Sequence, residues 1–71
     1  MAEWIKDVFS SMAQSVSYDP DTQTMVITFN NGRSYAYADV PEDVALDVSN
    51  AASVGEFINS EIKGRYSYRR I

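Results

Sequence analysis

The sequence predicts an α+β domain: a three-stranded antiparallel meander followed by two short helices packed on one face of the sheet, with a short N-terminal helical arm. Three observations carry this. Apolar residues alternate at a period of two through residues 24–29 and 34–40. An Asn-Gly pair, Asn31-Gly32, stands between those two runs and is a strong hairpin signal. Beyond Pro41 the spacing becomes helical, with Val44, Val48 and Ala51 on one stripe.

The elements follow in chain order. Residues 1–12 are read as the arm: Ile5, Val8, Phe9 and Met12 fall at helical spacing, with Trp4 beside that face. So short a helix is not stable alone, so its apolar side must dock on the body or on another copy. The meander is expected over 15–40. Val16 and Tyr18 alternate with Ser15 and Ser17, and Asp19-Pro20-Asp21 makes the first turn. On the second strand Met25, Ile27 and Phe29 form the core side. On the return strand Tyr35 and Tyr37 share one face, opposite Ala36 and Ala38. Two helices are expected over 41–64. Pro41 suits a first helical position, and Glu42 and Asp43 favour the positive end of the helix dipole. Ser53 with Glu56 three residues on reads as a capping box, and Gly64 as the stop. Residues 65–71 form a basic tail.

Composition limits the chemistry. The 71 residues suffice for one domain, and a hydrophobic share of 45% allows a compact core. There is no cysteine and no histidine, which removes disulfides, thiolate chemistry and the commonest general base and metal ligand. The three glycines are scattered, so no phosphate-cradling loop appears, and no carboxylate pair is arranged for catalysis. The expectation is therefore a non-enzyme with no cofactor and no metal. No apolar run approaches a membrane span and no secretory signal pattern opens the chain, so a cytoplasmic location is expected. The net charge is −4, unevenly placed. Residues 1–50 carry eight acids against two bases, whereas residues 51–71 carry Lys63, Arg65, Arg69 and Arg70 against Glu56 and Glu61.

Two features point to binding. Tyr35 and Tyr37 on one strand face suit base stacking, though the same pair would serve equally as core under the helices. The tail Lys63-x-Arg65-Tyr66-x-Tyr68-Arg69-Arg70 interleaves cations with aromatics, as a nucleic-acid contact strip does; a solvated, frayed terminus is the competing reading.

Longer stretches resemble the KTSC domain. They are Val8-x-Ser10-Ser11, Tyr18-Asp19, and Phe29-x-x-Gly32-x-x-Tyr35-x-Tyr37-x-x-Val40-Pro41, then Val44, and then Ala51-x-Ser53-x-Gly55-x-Phe57-x-Asn59-x-x-Ile62-Lys63-x-x-Tyr66. That family is named for the C-terminal extension of some lysyl-tRNA synthetases and also occurs as stand-alone proteins of bacteria and their phages. The resemblance implies a candidate site of Tyr35, Tyr37, Ser53, Gly55, Asn59, Lys63 and Tyr66, with Arg65, Arg69 and Arg70 added from the basic tail. Two positions depart from the family pattern: Val54 replaces a residue that is often basic, and Lys63 one that is often arginine. Physically, the start of the second helix beside the Ser53 hydroxyl would suit an anion, with Asn59 and Lys63 flanking it. A purely structural reading gives Ser53 a capping role, Gly55 a packing role and Asn59 a loop contact.

The function expected is a small binding module for RNA, other single-stranded nucleic acid or another phosphate-bearing ligand. The alternative is an acidic interaction domain, of the kind a phage effector uses, that docks on a host protein through Asp39 to Asp47 or the Trp4 arm. A monomer or weak homodimer is expected.

Overall fold

The central hairpin is built as its turn chemistry dictates. In the computed structural model, which describes residues 3–8 and 13–71, strands Thr24–Phe29 and Ser34–Tyr37 pair in antiparallel register, with Met25 opposite Tyr37 and Ile27 opposite Tyr35. Gly32 turns the chain at φ +86°, and the Asn31 carboxamide oxygen accepts the Arg33 N–H at 3.0 Å. The preceding turn is also as expected: the Asp19 carboxylate accepts the Asp21 N–H at 3.0 Å.

The sheet has five strands, not three, all antiparallel and in chain order. They are β1 (Trp4–Asp7), β2 (Ala13–Asp19), β3 (Thr24–Phe29), β4 (Ser34–Tyr37) and β5 (Tyr68–Arg70). Between β4 and β5 run α1 (Glu42–Asn50) and α2 (Val54–Phe57), the latter continuing as a π-helical turn, Ile58–Ile62.

Both added strands correct the sequence reading. Trp4 to Asp7, expected as the start of a helical arm, is an edge strand on β2. Apolar residues at 5 and 8 suit either period, and the free edge of β2 supplies the hydrogen bonds that a short helix would have to make alone. Trp4 then locks the strand: its ring lies 5.6 Å from that of Tyr18, and its indole N–H donates to Glu42 Oε2 at 3.1 Å. Ile5, on the opposite face, is 68% exposed rather than docked. Phe9 and Met12, the rest of the expected arm, lie outside the described residues. The tail, expected as free or frayed, is instead β5, with Tyr68 opposite Tyr37 and Arg70 opposite Tyr35.

One face of this sheet carries Val16, Tyr18, Met25, Ile27, Phe29 and Tyr37, which pack with Val40, Ala45, Val48, Val54, Ile58 and Ile62 into one core. Tyr18 keeps its buried hydroxyl satisfied by donating to the Val40 carbonyl at 2.6 Å, tying the sheet to the start of α1. The other face is uncovered and has short side chains, including Ser15, Ser17, Val26, Thr28 and Ser34. Pro41 is the residue before α1, not its first. Ser53 precedes α2 as expected, but its hydroxyl makes no cap bond, so the capping box does not form.

Candidate functional site

The π-helical turn prepares the site. A wide turn takes one residue more than an α-helical turn. Here the Lys63 N–H reaches back five residues to the Ile58 carbonyl, at 2.9 Å. Ile58 and Ile62 thereby both stay fully buried on the sheet, and Lys63 is left exposed at the end of the helix. Gly64 at φ +82° then redirects the chain towards β5.

Between that corner and the β3–β4 hairpin lies an open groove of about 830 Å³, lined by Phe29, Asn30, Asn31, Tyr35, Tyr37, Lys63, Gly64 and Tyr68. Its floor is a chain of four rings. Phe29 meets Tyr35 edge-on at 5.5 Å, Tyr35 meets Tyr68 edge-on at 5.6 Å, and Tyr68 tilts against Tyr37 at 5.6 Å. Exposure separates their roles. Tyr37 is 2% exposed and belongs to the core, so it offers no free ring face, whereas Tyr68 is 61% exposed. Tyr35 is intermediate. Arg70 sits opposite Tyr35 across the β4–β5 ladder, and directly opposed residues share a face, so its cation belongs to the ringed side.

The remaining candidates are scattered. Arg69 is opposite Ala36, on the uncovered face, away from the rings. Arg65 is paired with Glu61 at 3.9 Å on the surface. Tyr66 is half-buried against the core and Gly55 is buried within α2. Asn59 is exposed on the π-helical turn. Ser53 lies at the other end of the helical run from Lys63, on the order of 15 Å away by helical rise. It borders a shallow cleft with Asp47 and Glu56, whose carboxylates oppose the binding of an anion there. The structure therefore brings together Tyr35, Tyr37 and Lys63, with Arg70 adjacent, and leaves Ser53, Gly55 and Asn59 apart. It adds Phe29, Asn30, Asn31 and Tyr68. Tyr68 was legible: the alternation of Tyr68 and Arg70 against Arg69 and Ile71 is a strand period.

The phenols report the same division. Burial pushes the Tyr37 hydroxyl above its ordinary value of 10.0, helped by the neighbouring Tyr68 and Tyr35 phenols. Burial also raises Tyr18, with the Glu42, Asp43 and Asp19 carboxylates adding to it. A raised folded-state value means the protonated form is favoured by folding. These contributions are intact below pH 10 and are lost as pH rises through the shifted values. A spectrophotometric tyrosine titration is expected to show two phenols ionising after the others, together with falling stability above pH 10. Tyr37→Phe and Tyr18→Phe should each delete one late step.

Among the described residues no group of histidine, cysteine or acidic side chains is arranged to hold a metal, and no helix is long and apolar enough to cross a membrane.

The sequence model of the KTSC domain matches residues 9–66. The chain belongs to the KTSC domain family. The crystal structure of a KTSC domain protein from Yersinia pestis superimposes with a TM-score of 0.88 at 37% identity, covering 99% of each chain. A lysine–tRNA ligase of Nostoc punctiforme is 38% identical over 61 residues, 86% of this chain. This KTSC domain spans only 11% of that ligase. A protein of Tsukamurella paurometabola is 36% identical over 62 residues, which are 87% of this chain and 92% of that protein. The domain thus occurs both inside a ligase and as nearly the whole of a short protein.

Proposed function

We propose that this KTSC domain is a non-catalytic module of the cytoplasm that binds single-stranded RNA in the aromatic groove. The observation that carries the proposal is Tyr68: a 61% exposed ring, supported by Tyr35 and Tyr37 and held in the groove that Lys63 also lines. An exposed ring braced by two others is a stacking platform, and every base has a face to offer it. Lys63 and Arg70 meet the flanking phosphates. Occurrence of the domain within a ligase named for tRNA agrees with an RNA ligand. The protein's acidity does not oppose it, because the acids gather in residues 1–50 and the groove draws its cations from the end of the chain.

Salt dependence tests this. With two cations on phosphates, the logarithm of the association constant should fall with the logarithm of salt at a slope of about −1.4 for a single strand. Lys63→Gln should halve that slope. A flat salt response would remove the phosphate contacts from the account.

A second reading rests on the far side of the domain. Leu46 is 40% exposed on α1 beside Asp43 and Asp47, and neither acid has a cationic partner among the described residues. Such a face suits a host protein with a basic, partly apolar surface. A complex recovered from lysate that survives nuclease and is lost in Leu46→Asp would favour it.

A further inference from the structure

We infer that the groove selects bases whose exposed edge carries only acceptors, uracil above adenine and cytosine, and that Asn31 makes the selection. The inference deepens the RNA reading above and rests on it.

The argument begins with a turn. Asn31 lines the groove, and its side-chain oxygen accepts the Arg33 N–H at 3.0 Å. A backbone N–H can only donate, so the atom it meets must be the oxygen of the carboxamide, and the orientation of the amide is fixed. The group left over is Nδ2, which carries two N–H donors and accepts nothing. The turn thus converts an ambidextrous side chain into a one-way one. Arg33 would lose its partner if the amide flipped, so a ligand cannot reverse it without leaving that N–H unbonded.

The other charged group of the rim agrees. Lys63 is an ammonium with donors only. The tyrosine hydroxyls rotate and can give or take, so they do not discriminate. A base seated on Tyr68 or Tyr35 therefore faces fixed donors. On the edge that carries their distinguishing groups, uracil presents a carbonyl oxygen and guanine presents two acceptors, whereas adenine and cytosine each present an amino donor. A donor set against a donor leaves both unbonded, and that mismatch is the source of the preference.

One neutral hydrogen bond gained or lost gives about threefold to tenfold in affinity. We expect short oligouridylate to bind that much more tightly than oligoadenylate or oligocytidylate of equal length and at equal salt. Asn31→Asp is the decisive variant: an aspartate oxygen still accepts the Arg33 N–H, so the turn is kept, but the donors are gone. Asn31→Ser, which can also make this local bond and adds no charge, is the companion. Both should fold, by their amide NMR spectra, and both should bring the ratio of uridylate to adenylate affinity close to one, whatever happens to absolute affinity. Equal affinities in the unaltered protein, or a preference that survives in Asn31→Asp, would overturn the inference and leave RNA binding standing. Absence of groove shifts with every oligonucleotide would remove RNA binding itself, and the selection with it.

Discussion

Replacing Tyr68 with alanine is expected to leave the domain folded and to weaken binding of a short single-stranded RNA by roughly 5- to 150-fold, the range that stacking of one base on an aromatic ring spans. Tyr68 is 61% exposed, on a three-residue edge strand, so its ring contributes little to the core. Tyr37→Ala is the contrasting case. Its ring is 2% exposed and packed in the core, so that variant should lose stability before any effect on binding is measurable. Melting curves and fluorescence anisotropy on the two variants separate the roles. A Tyr68→Ala protein that binds as tightly as the unaltered one would show that the exposed ring is not the platform.

The largest effect on stability is expected at Ile27. It is fully buried in the central strand, between Val16 on β2 and Tyr35 on β4. Ile27→Ala removes methyl groups and leaves a cavity, at a cost of about 2–5 kcal/mol. A domain of 71 residues has a total of only about 4–10 kcal/mol to lose. Urea denaturation should show the variant near or below half-folded at room temperature, or melting at least about 10 °C lower. Val26→Ala, one residue away on the uncovered face, is expected to change stability by no more than about 1 kcal/mol. Equal losses at both positions would mean that the uncovered face is covered by something else.

The parts of this fold that were legible in sequence are those with local causes. The hairpin followed from Asn31-Gly32, the first turn from Asp19-Pro20-Asp21, and the core stripe from Met25, Ile27 and Phe29. What was not legible depends on distant partners. Residues 4–7 form a strand because β2 offers an edge and Glu42, 38 positions away, takes the Trp4 indole. Residues 68–70 form a strand because β4 offers the other edge. Neither edge is visible from the segment that fills it. The site divides the same way. Tyr35 and Lys63 were named from pattern and resemblance, and the fold brings them together. Ser53 was named too, but helix length holds it at the far end from Lys63. Asn31 was read as a turn residue only. Its second role follows from which of its atoms the turn uses up, and that requires the hydrogen bond itself.

The most direct test of the groove is an amide-resolved NMR titration of the labelled protein with short single-stranded RNA at low salt. The expected result is shifts confined to Phe29 to Asn31, Tyr35, Tyr37, Lys63, Gly64 and Tyr68 to Arg70, fading as salt is added. Shifts centred instead on α1 around Leu46, or none at millimolar RNA, would contradict the account and return the search to protein partners of the acidic face.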